Sequence, residues 1–242
     1  MSLLLLLTII PALAVIQSVF GVGLLFFGTP LLLILGYQYV ELLYVLLPAS
    51  LTLSLLQIRF DHTVRARDAT ALAVWTVPAI VAGMFTSLLV LEGMDIRYPV
   101  AALLVCVAVM RLVPAAHRRL RRGCAAVGRP AITAIALLHG LTNMGGGLLA
   151  VYAGARSEDK KEIHRTVALA YALFALSQLV TLYVVHGPPL PTVGLLGSVA
   201  GVVAAYVLVG RRVYQGLSNR RYQLYFSAFM LTGAGVLMWQ AS

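Results

Sequence analysis

Long apolar runs separated by short basic stretches dominate the chain. Residues 1–40 contain no Lys, Arg, Asp or Glu, and four later stretches of 20 or more residues are equally free of charge. A helix needs about 20 apolar residues to cross the hydrocarbon core of a bilayer. The pattern therefore predicts an all-α integral membrane protein. Its eight predicted hydrophobic segments are 2–36, 41–58, 69–91, 97–113, 130–155, 166–185, 187–210 and 222–240.

Composition supports this interpretation. The segments leave no loop long enough for a soluble catalytic or nucleotide-binding domain, and no GxxxxGK[ST] loop for ATP hydrolysis is present. The net charge of +10 comes mainly from Arg residues in short loops beside apolar segments, a pattern typical of membrane topology and not of nucleic-acid binding. The two cysteines, Cys106 and Cys124, give no metal-ligand spacing and no disulfide framework. No metal, cofactor or nucleic-acid partner is expected.

The basic residues predict the topology. If all eight segments crossed in turn, the 18 Lys and Arg residues would divide equally between the two faces. If segment 130–155 instead enters and leaves on one face, 17 of the 18 share a face, in loops 59–68, 111–129, 156–165 and 211–221. The positive-inside rule favours the second arrangement and places this face in the cytoplasm. The expected location is a cell membrane, of the bacterial inner-membrane type.

Segment 130–155 has its own reason to be broken. Its centre reads LTNMGGG, and each glycine in a helix interior costs roughly 1 kcal/mol relative to alanine. Two half-helices of about ten residues would each span ~15 Å, half of the hydrocarbon core. The segment is therefore predicted to be a re-entrant hairpin. The alternative is one crossing helix with a glycine patch for close packing.

The two halves of the chain resemble each other. GVGLLFFG at 21–28 is similar to GGGLLAVYAG at 145–154, at an offset of 124 residues that aligns Gln17-Ser18 with Thr142. This similarity predicts two homologous four-segment halves, 1–120 and 121–242. Under the preferred topology they form an inverted repeat with broken or re-entrant glycine-rich helices, as in many secondary transporters. Segment 2–36 has two predicted alternatives: a hairpin, or a full helix followed by a short one.

The same motifs resemble a known family. GVGLLFFGTPLLLILG resembles the opening motif of the TauE/SafE sulfite-exporter-like permeases, and LTNMGGGLLAVYAG resembles its second copy. VPAIVAGMFTSLLV (77–90) and LLGSVAGVVAAYVLVGRRV (195–213) resemble the third segment and its counterpart. The first motif departs from the family pattern because it has Gly-Val-Gly where three glycines are usual. The resemblance implies a permease for sulfite, a sulfonate or another small sulfur or carbon anion.

The glycine-rich breaks are the predicted substrate site. A half-helix N-terminus carries about half a positive charge and free N–H groups, and glycine lets an anion approach that backbone closely. Neighbouring polar residues inside apolar segments would add side-chain donors or line the path. The candidate substrate-binding residues are Gln17, Ser18, Gly21, Gly23, Ser54, Gln57, His139, Thr142, Asn143, Gly145, Gly146, Gly147, Ser177 and Gln178.

Each of these features also has a plainer interpretation. The glycines and hydroxyls would equally serve helix packing and bonding between helices. His139, taken from the sequence as the one histidine deep in a segment, is either a proton relay or a neutral ring bonded to a carbonyl. Arg59, Arg156 and Arg165 either gather anions at the inner mouth or only set the topology.

The sequence favours a secondary permease that moves a small anion by alternating access. The alternative is a non-transporting membrane subunit or scaffold that acts with a partner protein. An intramembrane enzyme is disfavoured, because no HExxH motif and no His/Asp/Glu cluster lies within the segments, so no catalytic residue is expected. The expected partners are the small anionic substrate and membrane lipid, and self-association into a homo-oligomer is left open.

Overall fold

The computed structural model describes residues 3–61, 63–90, 119, 122–123, 128–189, 193–222 and 224–225. The predicted segment 97–113, most of 222–240, most of loop 111–129, both cysteines and the 120/121 boundary between the halves lie outside these residues. The helices are α1 Leu3–Phe20, α2 Leu24–Ile34, α3 Tyr39–Asp61, α4 Ala66–Phe85, α5 Arg129–Thr142, α6 Gly146–Arg156, α7 Lys160–His186, α8 Val193–Ala205 and α9 Arg211–Gly216. A five-residue π-helical turn extends α4 and another joins α8 to α9.

Among the described residues, four continuous helices have the length and apolar composition needed to cross a bilayer: Tyr39–Phe60, Ala66–Leu89, Lys160–His186 and Gly194–Gly216. They coincide with four of the predicted segments, and the protein is a multi-pass membrane protein. Large apolar side chains such as Val74, Val184 and Leu196 are more than 60% exposed on these helices. In water such surfaces would be costly, so these faces suit contact with lipid.

Segments 2–36 and 130–155 are each broken into two helices. The second helix of each pair, α2 and α6, has 11 residues and spans about 16 Å, half of the hydrocarbon core. The breaks fall at the glycine-rich motifs. Gly21 at the first break has a φ of 78° and Asn143 at the second has a φ of 61°, which is the left-handed conformation that Gly and Asn adopt most readily.

The central helices α3 and α7 pack antiparallel to each other. The Tyr44 hydroxyl near the start of α3 donates to the Gly187 carbonyl, just beyond the end of α7, at 2.7 Å. At the other end, Gln57 Nε2 lies 3.3 Å from Nε2 of His164. Leucines of α3 and the rings of Tyr171 and Phe174 on α7 form much of the buried core.

The outer helices pack in two similar pairs, α1 on α8 and α5 on α4. Glycines allow the close approach in both. A Cβ at Gly201 would meet the Pro11 ring at 2.8 Å, and a Cβ at Gly83 would lie 3.1 Å from the Gly140 Cα. Helix α2 packs on α3 and α6 packs on α7. The two broken segments are thereby held against the antiparallel α3–α7 pair.

Candidate functional site

The two glycine-rich tips have the same backbone plan. The Gly21 N–H donates to the Gln17 carbonyl at 2.7 Å, and the Asn143 N–H donates to the His139 carbonyl at the same distance. Two residues later, a Cβ at Gly23 would meet the Gln17 backbone nitrogen at 2.7 Å, and one at Gly145 would meet the His139 Cβ at 2.7 Å. The tips therefore correspond at an offset of 122 residues, whereas the glycine motifs suggest 124. The offset of 122 pairs Gln17 with His139 and not with Thr142.

Helices α3 and α7, the third helices of the two halves, correspond at an offset of 121 residues. Helix α3 begins at residue 39 and α7 at residue 160. Gln57 Nε2 donates to the Gln17 carbonyl at 3.0 Å, and Gln178 Nε2 lies 3.5 Å from the His139 carbonyl oxygen. The offset is one residue smaller here because the loop before α7 is one residue shorter than the loop before α3. Each tip thus has a glutamine amide against the end of its first helix.

Around the first tip, buried polar residues form what we term the Gln17 cluster: Gln17, Ser50, Ser54, Gln57 and His164. Gln17 Nε2 lies 3.3 Å from the Ser50 hydroxyl and 3.5 Å from the Ser54 hydroxyl, and its Oε1 accepts the Leu24 N–H at 3.0 Å. Since Leu24 is the first residue of α2, this amide joins α1, α2 and α3. The side chain of Gln17 has both of its polar atoms bonded.

His164 completes the Gln17 cluster. Its Nε2 lies 2.9 Å from the Ser18 carbonyl oxygen, and because a carbonyl can only accept, this nitrogen carries the proton. Its ring stacks on Tyr214 with centroids 4.2 Å apart, and it is fully buried. This residue is not among the predicted site residues, because it lies in the stretch 156–165, whose charges predict a basic loop. It lies on one helical face with Tyr171 and Gln178, seven and fourteen residues further on, and that spacing was the available signal.

Around the second tip, the His139 cluster consists of His139, Asn143, Tyr171 and Gln178. All four are almost wholly buried, yet Nδ1 and Nε2 of His139, Oδ1 of Asn143, the Tyr171 hydroxyl and Oε1 of Gln178 have no hydrogen-bond partner among the described residues. Buried polar groups in proteins are usually paired, and a concentration of unpaired ones requires an explanation. The cluster offers both donors and acceptors to a bound group.

One of the unpaired atoms, the Tyr171 hydroxyl, lies at the N-terminus of α6. A Cβ at Gly146, the first residue of α6, would collide with the Tyr171 hydroxyl, so this hydroxyl lies directly against the start of the helix. The His139 ring packs against Tyr171 and Phe174, with centroid distances of 5.6 and 5.0 Å. The N-terminal N–H groups of a helix attract negative charge. A small anion at this position would meet backbone donors and the Tyr171 hydroxyl together.

Asn143 connects the His139 cluster to the other half of the chain. Its Nδ2 donates to the Thr29 hydroxyl on α2 at 2.8 Å. Thr29 lies five residues beyond Leu24, which is about 7.5 Å along the helix axis. The clusters are therefore neighbours along α2. In the part of the chain that the structure describes, no hydrogen bond joins Gln17 or Ser18 to Thr142 or Asn143, and a single site shared by both tips stays a prediction.

The remaining predicted residues have mainly local contacts. The Ser18 hydroxyl donates to the Ala14 carbonyl at 2.6 Å and packs against Gly210. The Thr142 hydroxyl donates to the Leu138 carbonyl at 2.7 Å and accepts the Met144 N–H at 3.2 Å. Gly147 is buried in α6, and Ser177 is nearly buried on α7. Within the described ranges, no three His, Cys, Asp or Glu side chains come together as a metal site.

Comparison with known proteins agrees with the all-helical membrane fold and with a non-enzymatic role. The family model described as Sulfite exporter TauE/SafE matches residues 5–238, nearly the whole chain. Curated proteins and solved structures give no match to this sequence. The match extends across both broken segments and all four long helices. The chain belongs to the TauE/SafE sulfite exporter family of membrane transporters.

Proposed function

We propose that this protein carries a small sulfur or carbon oxyanion across the membrane by alternating access, and that the His139 cluster binds it. The observation that supports this most directly is the set of unpaired buried polar atoms in the His139 cluster, one of which, the Tyr171 hydroxyl, lies against the N-terminus of α6. Each unpaired buried group costs about 1–3 kcal/mol. Binding of an anion that satisfies these groups would recover much of that cost.

The chemistry of the cluster favours a particular class of anion. The Tyr171 hydroxyl, one N–H of the His139 ring and the first N–H groups of α6 are donors suited to an oxyanion. The Asn143 and Gln178 oxygens are acceptors, and they suit a substrate that also carries an O–H group. A singly protonated oxyanion, such as hydrogen sulfite, offers both. No buried Lys or Arg is needed, which keeps binding weak enough for release.

Many transporters that work by alternating access consist of two halves of opposite orientation, and several observations support such an arrangement here. The tips correspond at 122 residues, and α3 and α7, the third helices of the two halves, pack antiparallel. Arg129 at the start of α5 and Arg156 at the end of α6 line one cleft, as a re-entrant hairpin requires. We infer an inverted repeat whose basic loops face the cytoplasm of a bacterial-type inner membrane. Self-association stays a prediction.

The test is transport by the purified chain in proteoliposomes, with sulfite and methanesulfonate as substrates. Asn143→Gly removes the side chain but keeps a residue that accepts the positive φ, as Gly21 does in the first tip. We expect transport of sulfite, whose protonated form offers an O–H to Asn143, to fall between five- and 150-fold, the equivalent of about 1–3 kcal/mol for a bond to a charged ligand.

The matched control is Ser198→Ala, which alters a fully buried hydroxyl on α8 that bonds only within its own helix in the described structure. Its transport should stay close to that of the wild type. Unchanged transport in folded Asn143→Gly would assign Asn143 to packing. No transport by the wild-type chain alone would favour the alternative of a membrane subunit that needs a partner.

A further inference from the structure

A second basic feature lies away from both clusters, where α5 begins and α6 ends beside the first turns of α4 and α7. Here a cleft of about 280 Å³ is lined by Arg129, Arg156, Arg165, Asp68 and the rings of Trp75 and Tyr152. We term it the Arg cleft. Its three arginines come from separate parts of the sequence. Arg59, a basic residue of the same predicted face, instead lies beside Phe60 at the end of α3 and takes no part in it.

The charges of the Arg cleft do not cancel. Arg165 pairs with Glu162 at 3.0 Å, but within the described residues neither Arg129 nor Arg156 forms an ion pair. Asp68 supplies the one acidic side chain of the lining, against three guanidinium groups. The cleft therefore carries net positive charge.

Two of the arginines are held by aromatic rings. The Arg129 guanidinium lies 5.7 Å from the centre of the Trp75 ring, and that of Arg156 lies 5.4 Å from the centre of the Tyr152 ring. Contact with a ring face orients a guanidinium group while its N–H donors stay free at the edges. These arginines are thus positioned to bind planar or tetrahedral oxyanions with paired hydrogen bonds.

The helix termini add to this field. Helices α4 and α5 begin at the cleft and present positive ends, whereas α6 ends there and presents a negative one. Arg156 is the last residue of α6 and offsets that negative end. Since α6 begins at Gly146 in the His139 cluster, the cleft and the cluster lie at opposite ends of a single helix, about 15 Å apart.

We propose that the Arg cleft is a separate binding site for the transported oxyanion, occupied on the basic face before the ion enters or after it leaves the His139 cluster. This proposal rests on the proposed function. The cleft is large enough for sulfite or a short sulfonate. A lipid phosphate has similar chemistry, so the experiment must distinguish a free anion from a headgroup.

Trp75 provides a local probe of the cleft. The chain has two tryptophans, Trp75 and Trp239, so Trp239→Phe leaves Trp75 as the sole source of tryptophan fluorescence. In neutral detergent, titration with methanesulfonate at constant ionic strength should give a saturable change in Trp75 emission, and chloride should not. Arg156→Gln in this background should raise the apparent Kd at least tenfold, and Arg129→Gln serves as a second variant. Arg59→Gln is the control and should change the Kd less than twofold.

A second set of measurements separates the sources of the anion. Nanodiscs of phosphatidylcholine alone are compared with nanodiscs that contain phosphatidylglycerol. A Trp75 response to phosphatidylglycerol without any response to methanesulfonate would identify a lipid site and overturn the proposal. An equal Kd in folded Arg156→Gln, Arg129→Gln and Arg59→Gln proteins would also overturn it.

The proposals for the Arg cleft and for the His139 cluster are tested independently by these measurements. Asn143→Gly is expected to lose transport and to keep the Trp75 response, because the cleft does not include the α6 N-terminus. Loss of the Trp75 response in Asn143→Gly would mean that emission reports the cluster and not the cleft, which contradicts a separate site. Normal transport by Asn143→Gly together with an Arg156-dependent Trp75 response would reject the cluster as the substrate site and leave the cleft standing.

Discussion

The two glycine-rich tips share a backbone plan but differ in the side chains that α3 and α7 supply. At the first tip, Ser50 and Ser54 of α3 lie within reach of the Gln17 amide. At an offset of 121 residues, the corresponding residues of α7 are Tyr171 and Ala175. Alanine has no side-chain hydrogen bond to offer, and the Tyr171 hydroxyl lies against Gly146 and leaves the His139 ring unpaired.

This difference assigns different tasks to tips with the same geometry. The amide of Gln17 is satisfied within the protein, and it holds three helices in place. The His139 cluster lowers the stability of the folded protein, because its buried polar groups have no partner among the described residues. A ligand that pairs with these groups would raise the stability again. We infer that the first tip serves mainly as a structural joint and the second mainly as the ligand site. The following three predictions test that contrast.

The largest expected effect is on stability, at Gln17. Gln17→Leu removes every hydrogen bond of the side chain and leaves the Leu24 N–H unpaired, so the free energy of unfolding should fall by about 2–4 kcal/mol. His139→Leu is the matched change at the second tip, and it should cost less than about 1 kcal/mol because the ring nitrogens have no partner to lose. Both are measured by unfolding in detergent. Equal losses in the two variants would remove the distinction between the tips.

Tyr171→Phe should separate transport from stability. The hydroxyl has no partner among the described residues, so its removal should leave the thermal midpoint unchanged or slightly raised. If the hydroxyl donates to the substrate, the substrate Kd should rise about five- to tenfold, equivalent to about 1–1.4 kcal/mol. Thermal stabilisation by sulfite and uptake into proteoliposomes measure the two effects. A clear fall in stability with normal transport would give this hydroxyl a structural role.

The smallest effect concerns Gly146, where a larger residue is a poor test of anion binding. Gly146→Ala places a Cβ against the Tyr171 hydroxyl, so loss of transport would follow from that collision alone. Tyr171→Phe in the same chain removes the colliding oxygen and should recover part of the lost stability, with a coupling of at least 0.5 kcal/mol. A double-mutant cycle of unfolding free energies measures it. If the changes in unfolding free energy were strictly additive, the new Cβ at position 146 and the Tyr171 hydroxyl would not be in steric conflict.

Much of the fold follows from the hydrophobic pattern. Segments 41–58 and 166–185 lie within long helices, and segments 69–91 and 187–210 overlap two more. The last of these helices begins later than predicted and continues to Gly216, so part of the predicted loop 211–221 is helical. Segments 2–36 and 130–155 are broken at their glycine motifs, since run length and helix propensity are local properties. The polar residues of the tips were also predicted from their position inside apolar segments. Of these, Gln17, Ser54 and Gln57 meet in one cluster, and His139, Asn143 and Gln178 meet in the other.

The contacts between those residues could not be predicted from the sequence, because they depend on how the helices align with one another in the folded chain. One residue less in the loop before α7 shifts its alignment with α3, which puts Ala175 and not Leu176 in the place of Ser54. His164 acquires its role from the Ser18 carbonyl, 146 residues away. Thr29 acquires its role by accepting a hydrogen bond from Asn143, which lies in the other half of the chain. The Gln17 cluster, in which only Gln57 Oε1 has no partner among the described residues, and the His139 cluster, with five such atoms, therefore look alike as sequence.

Helix α6 has a relation to the bilayer unlike that of the long helices. Its residues 146–153 are all buried, so over these two turns lipid touches no face of the helix. By contrast, only about a third of the residues in the most apolar part of Ala66–Leu89, and fewer in that of Gly194–Gly216, are buried. Hydrophobic mismatch with a thicker or thinner membrane therefore acts on these outer helices, which tilt to accommodate it. Because residues 146–153 of α6 are buried, we expect membrane thickness to reach the His139 cluster through such tilting and not by direct contact with lipid.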